Sequence, residues 1–477
     1  MNFIDGIVRL QKLSLHNIKN VVGGSISFPS KDKPESLAEN ADVIGVYGQN
    51  GSGKTALVES LRILKAMLSG FPVSGNVAND IRQGQEKAAM SFDFEFLVHS
   101  GDRQFCVIYS FSLIEGPKDQ VTSRKTVNVE YERLKIKKLH VLKDNLTTVF
   151  DTELNEEEER EIAFKPVASL NLISKGKTRS LAQDLLFARH DADEAGQSFI
   201  FSSKAISLFE AGDIDQDYLS VILSLRRYGT TDLLVLDTEE CNQFFMVVNL
   251  RVKNEEKTKS GLIPVGFQTN QLAMPLFEDL QQWLPNVNVI LGHLVPGVQI
   301  GIENVFPITM IDPNGNPIKG KQFQMVSIRD GIKIPLQYES GGIRKIVACL
   351  GPLIAAYNNE SVLAVIDGFD SNIFEYLFGE IVSVFSDSGT GQFIFTSHNL
   401  RPLEVLGNHG IYLTTTDPND RYAEYPYTKD TVNFRSKYLR DIKLDSKLTT
   451  SSNTREFYSP TNEDDIRHAF TLAWGEK

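Results

Sequence analysis

The sequence predicts an α/β fold in which a mixed sheet is joined to an antiparallel β region. A glycine-rich loop at residues 48–55 lies between a predicted strand, residues 43–47, and a predicted helix, residues 56–65. Between residues 89 and 150, apolar and polar side chains alternate as in antiparallel strands. In the second half of the chain, short apolar segments end in polar residues, which is typical of buried parallel strands.

The loop at residues 48–55 has the sequence GQNGSGKT and matches G-x-x-x-x-G-K-[ST] at every fixed position. Glycines allow backbone N–H groups to face phosphate oxygens, and the following helix adds unpaired donors and a partial positive charge. The pattern predicts that Lys54 reaches the β- and γ-phosphates and that Thr55 holds Mg²⁺. The residues expected to contact the nucleotide are Gly48, Asn50, Gly51, Ser52, Gly53, Lys54 and Thr55. The alternative, a plain glycine-rich turn, is disfavoured because the flanking strand and helix are both present.

Length, composition and cysteine content restrict the class of protein. The 477 residues are 41% hydrophobic and 23% charged, as in ordinary globular proteins, and they suffice for more than one lobe. The longest apolar run, residues 347–357, is too short to cross a membrane, and the N-terminus lacks the pattern of a secretion signal. Three dispersed cysteines argue against a disulfide framework or a zinc cluster and fit a cytoplasmic location.

Charge gives little indication of nucleic-acid binding. The net charge is −12, which disfavours general attraction to a polyanion. A basic segment at residues 133–140 is a local exception. It is interpreted as a solvated edge strand protected by lysines, with a nucleic-acid contact as the alternative.

A second glycine turn, Ser340-Gly341-Gly342, precedes an apolar helical segment at residues 346–357. A hydroxyl, bare backbone N–H groups and a helix N-terminus together form another anion site. The plainer alternative is that Ser340 is an ordinary helix N-cap.

Two apolar strands in the second half end in reactive side chains. Asp367 follows the strand at residues 361–366 and is placed to hold Mg²⁺ or a metal-bound water, although Asp-Gly is also a good turn pair. His398 ends the strand at residues 391–397, where a lone histidine is more often structural. The spacings from Ser340 to Asp367 and from Asp367 to His398 each accommodate one strand–helix unit, as parallel connections require.

These motifs in this order resemble the ABC-type ATPases of the SMC/RecF class, and the opening strands with residues 17–20 are similar as well. The resemblance implies ATP and Mg²⁺ as ligands and a homodimer or higher homo-oligomer. It implies that Ser340 and Gly342, with Gly341 between them, contact the γ-phosphate of ATP bound by another subunit. It also implies that His398 senses the γ-phosphate and that Lys19 lies near the nucleotide.

A closer resemblance is to a compact subgroup without long coiled coils. It is carried by residues 374–380, 395–404 and 414–422, and the chain has no long heptad repeat. The subgroup includes ATPase components of bacterial anti-phage systems (AriA-like proteins), which act with a separate effector such as a nuclease. The resemblance implies a molecular switch of this kind. The alternatives are a DNA-repair or chromosome-associated clamp and a nucleotide-binding scaffold without turnover.

One position departs from the class. The glutamate that usually follows the strand-end Asp is Gly368 here. Glycine can neither orient nor deprotonate a water molecule, so slow or absent hydrolysis is expected, unless Asp370 or Glu375 substitutes.

The expected organisation is a P-loop ABC-type ATPase head, with a mixed sheet and an antiparallel β subdomain, interrupted by a mainly helical insertion. Residues 1–165 form the first half of the head and residues 166–290 the insertion. Residues 291–440 form the second half, and residues 441–477 a polar linker with a C-terminal helix.

Overall fold

The computed structural model describes residues 6–29, 41–82, 89–118, 125–141, 145–152, 178–212, 214–248, 262–312, 314–406, 410–425, 434–444, 447–449, 454–456 and 463–473. The predicted fold class is confirmed, because a mixed central sheet and a separate antiparallel sheet form the head. The helices are α1 Lys54–Ser69, α2 Thr178–Ala195, α3 Ser203–Ala211, α4 Gln216–Arg227, α5 Met274–Leu294, α6 Gly341–Asn358, α7 Glu375–Ser388, α8 Phe434–Leu444 and α9 Glu463–Ala473. Among these described helices, none combines the length and apolar character that a membrane span needs.

The central sheet has six strands in the order β18-β17-β3-β16-β15-β8, all parallel except β18. Its strands are β3 Asp42–Tyr47, β8 Leu233–Leu236, β15 Leu363–Ile366, β16 Gln392–Ser397, β17 Ile411–Thr414 and β18 Tyr422–Glu424. The five parallel strands are buried throughout, which explains their continuous apolar sequences. Because parallel strands end at one edge, the phosphate loop after β3 and the residues after β15 and β16 come together there.

The second sheet is antiparallel, with the order β2-β1-β4-β5-β6-β7. Its strands are β1 Gly6–Ile18, β2 Val21–Ser27, β4 Ala89–Ser100, β5 Arg103–Glu115, β6 Val127–Lys138 and β7 Thr147–Asp151. Alternate aromatic side chains, Phe92, Phe94 and Phe96, face inward from β4 and share one core with α1. The antiparallel strands predicted from residues 89–150 are confirmed.

The basic segment at residues 133–140 differs from the prediction of an edge strand. It belongs to β6, which pairs with β5 on one side and with β7 on the other. Its charged side chains are partly neutralised, since Arg133 pairs with Asp151 at 2.7 Å and Lys138 pairs with Asp217 at 2.6 Å. A polar face, rather than an edge position, therefore accounts for the alternation.

The third region consists of two small sheets packed near α5 and α6. Its strands are β9 Phe244–Val248, β10 Leu262–Gly266, β11 Thr269–Ala273, β12 Gln299–Ile311, β13 Pro317–Arg329 and β14 Ile332–Pro335. The consecutive strands β12 and β13 pair with each other in an antiparallel hairpin. Strand β9 pairs with β10 in an antiparallel ladder.

The middle of the chain contributes directly to the head. The boundary expected at residues 165 and 166 falls outside the described residues. Helices α2 to α4 pack in the core of the antiparallel sheet, and β8 adds the last strand of the central sheet beside β15. Within the expected linker, β19 Lys447–Thr449 pairs with β20 Thr454–Glu456.

Candidate functional site: a phosphate-loop cavity

The phosphate loop joins β3 to α1 through backbone that only glycine adopts easily. Gly51 and Gly53 have φ values of +71° and +100°. A Cβ on Gly53 would lie 2.7 Å from Val21 Cγ2. Helix α1 starts at Lys54 without a side-chain cap, so its first backbone N–H groups remain available as donors to an anion.

Lys54 is buried against its own loop. Its Nζ donates to the carbonyl oxygens of Gly48 and Gln49, each at 2.8 Å. Burial lowers the pKa of Lys54, while the charges of Asp367 and Asp370 act in the opposite direction. The ammonium group is therefore held at the centre of the loop, where a phosphate oxygen would meet it.

Asp367 lies directly opposite the start of α1. Thr55 Oγ1 donates to Asp367 Oδ2 at 3.2 Å, and Thr396 Oγ1 donates to Asp367 Oδ1. The backbone of Asp367 is also fixed, because Lys345 Nζ donates to its carbonyl oxygen at 3.0 Å. A hydroxyl and a carboxylate at this separation form an oxygen pair of the kind that Mg²⁺ prefers.

A cavity of about 510 Å³ lies over the loop. The predicted site residues that line it are Lys19, Asn50, Gly51, Ser52, Gly53, Lys54, Thr55, Asp367 and His398. Gly48, the first residue of the loop, is not among the described lining residues, and its carbonyl oxygen accepts a hydrogen bond from Lys54 Nζ. Among the described residues that line the cavity, none belongs to the turn Ser340-Gly341-Gly342.

Five polar residues of the cavity were not predicted from the sequence: Asn20, Thr238, Ser371, Thr396 and Ser397. Thr396 and Ser397 immediately precede His398, so their places on a buried strand were a usable signal. Thr238 follows β8, a strand that was not predicted because its apolar run has only four residues.

The two carboxylates considered as substitutes for the missing glutamate have other partners. Asp370 Oδ2 accepts hydrogen bonds from the backbone N–H groups of His398 and Asn399, both at 3.0 Å. Glu375 is exposed and pairs with Arg435 at 3.3 Å. Asp370 thus orients the turn that carries His398. Partial burial and the nearby Lys54 lower the pKa of His398.

Gly368 has a conformation that disfavours any other residue. Its φ is +54°, and an added Cβ would lie 2.9 Å from Ser371 Oγ and 3.2 Å from Thr238 Oγ1. Its N–H donates to Thr396 Oγ1 at 2.8 Å, which anchors the turn after β15. The glycine therefore suits this turn, and a glutamate here would have a strained backbone and would displace the Ser371 hydroxyl.

The turn at Ser340 begins helix α6; Ser340 itself is exposed, whereas Gly341 and Gly342 are half-buried. Ser340 Oγ accepts from the Ile343 N–H at 3.4 Å, so the residue does form the helix N-cap considered above. Gly342 packs tightly, because a Cβ there would lie 2.5 Å from the carbonyl oxygen of Asn372. The turn is thus fixed to the segment that follows Asp367.

Lys19 lies at the rim of the cavity and has a φ of +52°. Its Nζ is 3.6 Å from Asp80 Oδ2. The neighbouring Asn20 side chain donates to the Gly51 carbonyl oxygen, and Arg421 donates to the Asn20 carbonyl oxygen at 3.0 Å. The strand connection β1–β2 is thereby attached to the phosphate loop.

Residues 12–207 match an AAA domain. This segment contains the phosphate loop and ends before Asp367. Together, the match, the loop and the central sheet support a P-loop ATPase. No curated protein matches the chain.

The chain is also similar to solved structures of SMC head domains and of RecF. An SMC head, in a structure described as bound to the C-winged helix domain of ScpA, is 10% identical, with 87% of this chain and 97% of that chain covered and a TM-score of 0.37. The SMC head domain from Thermotoga maritima is 12% identical, with 87% and 98% covered and a TM-score of 0.31. The recombination mediator RecF, in a structure with ATPγS, is 12% identical, with 83% and 94% covered and a TM-score of 0.31.

Proposed function

We propose that the protein is an ATP-operated molecular switch that closes in pairs and controls a separate effector, such as a nuclease, in anti-phage defence. ATP with Mg²⁺ binds at the phosphate loop, with Thr55 and Asp367 holding the metal. The Ser340 turn of one copy completes the site of a second copy, and His398 senses the γ-phosphate. The defence role rests on the sequence resemblance alone.

The observation that supports a composite site is the separation of its two halves. The loop, Asp367 and His398 line one cavity, whereas the Ser340 turn is exposed and lies outside the described lining of that cavity. An exposed helix N-terminus offers backbone donors to an anion that its own chain does not hold. A second copy can bring such an anion to it.

Gly368 favours a switch over a fast enzyme. Its left-handed backbone disfavours the usual glutamate, while Asp370 and Glu375 have other partners. Without a base near the attacking water, turnover loses a factor of roughly 10² to 10⁴. A switch that depends on ATP-bound closure tolerates this loss.

Lys54→Ala tests the proposal. The variant is expected to lose ATP binding, ATP-dependent pairing and protection of cells against phage, while its thermal unfolding remains close to that of the wild type. Lys204→Ala is the matched control, because Lys204 is exposed and pairs only with Asp191 among the ion pairs of the described residues. Full phage protection by Lys54→Ala would refute the switch.

Two measurements separate the alternatives. A DNA clamp predicts duplex-DNA binding that weakens steeply with salt and strengthens with ATP. A scaffold predicts the same assembly state with and without ATP.

A further inference from the structure

Helices α5, α6 and α7 leave an apolar groove of about 340 Å³ on the surface. It is lined chiefly by Leu294, Leu350, Leu353, Tyr357, Ile381 and Val384. Val384 is 56% exposed, although its neighbours are apolar. Each Å² of such surface left in water costs about 25 cal/mol, so a covering partner is favoured.

The C-terminal helix α9 carries a matching apolar stripe. Ile466, Ala469, Phe470 and Ala473 follow each other at the i, i+3, i+4 and i+7 spacing that places side chains on one helix face. All four are exposed, Ile466 by 45% and Phe470 by 76%. An apolar stripe of this kind is the usual anchor of a helix that docks in a groove.

The stripe and the groove also agree in length. The stripe extends over eight residues, or seven steps, from Ile466 to Ala473, and the α6 wall of the groove likewise extends over eight, from Leu350 to Tyr357. At about 1.5 Å per residue, each is about 10 Å long. The α7 wall, with Ile381, Val384 and Phe385, has the same helical spacing.

The position of the preceding strand favours a groove on another copy. Thr416 N donates to the Glu456 carbonyl oxygen at 2.7 Å, which holds β20 beside the end of β17 at the phosphate-loop edge of the sheet. The groove lies at the opposite edge, since the Tyr357 carbonyl accepts from Thr390 just before β16 begins. β20 and the Tyr357 end of the groove thus lie at opposite edges of the central sheet, which favours the groove of a second copy over the chain's own.

We propose that α9 of one copy docks in the α5–α6–α7 groove of a second copy, with Phe470 as the central anchor. The exchange is reciprocal, because a two-fold axis applies the same contact twice. The resulting dimer forms without nucleotide and is independent of ATP-driven closure.

Size measurements without nucleotide test the exchange. The wild type is expected to be dimeric by sedimentation equilibrium, and Phe470→Asp and Val384→Asp are each expected to weaken the dimer at least tenfold. Phe187→Asp is the control, because Phe187 is similarly exposed at 64% but lies on α2. A monomeric wild type, or dissociation by the control alone, would overturn the proposal.

Cross-linking identifies the chain that supplies the helix. Val384→Cys and Phe470→Cys chains are oxidised singly and as a mixture, and then separated on a non-reducing gel. A covalent dimer that forms only in the mixture supports exchange between copies. A chain that carries both Val384→Cys and Phe470→Cys is oxidised in the same way. If it forms only an internally cross-linked monomer, α9 docks in the groove of its own chain and the proposal is wrong.

Discussion

Helices α1 and α6 both start directly after a glycine turn, yet their N-termini differ in their surroundings. The N-terminus of α1 has no side-chain cap and faces a cavity that also contains Asp367 and His398. The N-terminus of α6 is capped by Ser340 and is exposed to solvent. Both helices thus start at a glycine turn, but the start of α1 faces a cavity and the start of α6 faces solvent.

The difference shows what a glycine turn does and does not determine. An uncapped helix start with a buried lysine is prepared for a phosphate within its own chain. A capped, exposed start already has one donor satisfied, and an anion would reach its remaining donors from outside the chain. Four predictions test this contrast.

Gly53→Ala is expected to have the largest effect. A Cβ in this left-handed position approaches Val21 Cγ2 and displaces the loop donors, so ATP affinity should fall roughly 100-fold, about 2.7 kcal/mol. Titration with a fluorescent ATP analogue measures this affinity. Gly341→Ala is the matched control at α6, where the φ is not positive, and should leave the affinity of the single chain unchanged. Equal losses in both variants would contradict the contrast.

Ser340→Arg is expected to leave ATP binding intact and to reduce ATP-dependent pairing by a factor of ten or more. The long charged side chain obstructs the exposed turn without touching the cavity. Light scattering with Mg²⁺ and a slowly hydrolysed ATP analogue measures the pairing. Ser340→Thr keeps the cap hydroxyl and should pair normally; a defect there would indicate loss of the helix cap instead.

Gly368→Glu is expected not to create a fast ATPase. The left-handed φ costs about 1 kcal/mol for a residue with a Cβ, and the contact with Ser371 adds to this. The variant should be less stable in urea unfolding, with phosphate release still slow. Rapid ATP turnover by this variant would show that the turn after β15 accommodates a glutamate and that the wild type lacks only the general base.

The pH dependence of ATP binding should be the smallest effect. Partial burial and Lys54 lower the pKa of His398, so it is neutral at pH 7. A bound triphosphate favours the protonated ring, and by linkage the ATP affinity should rise as the pH falls through the range below 6.5. We expect a change of about two- to fivefold between pH 7 and 5.5. In His398→Gln, only the rise in affinity that comes from the titration of ATP itself should remain. If the variant and the wild type show the same pH dependence, His398 does not contact the bound triphosphate.

Much of the head was predictable from sequence because its signals are local. The phosphate loop needs glycines at fixed positions, and the buried strands β3, β15 and β16 need continuous apolar residues. The antiparallel strands show a two-residue alternation. Asp367 and His398 could be placed near Lys54 because parallel strands end at one edge.

Tertiary structure decided the features that depend on distant contacts. Thr238 reaches the cavity because β8, a four-residue strand, joins the central sheet beside β15. Asp370 serves the His398 turn rather than a water molecule because two backbone N–H groups, 28 and 29 residues away, point at it.

The sequence by itself determined the nucleotide loop and the three buried strands, β3, β15 and β16, that precede the loop, Asp367 and His398. Whether each glycine turn is enclosed or exposed, and whether Gly368 can be replaced, depended on side chains that meet only in the folded chain. Backbone conformation and packing at a turn are set by neighbours in space, and these contacts leave no periodic signal in the sequence.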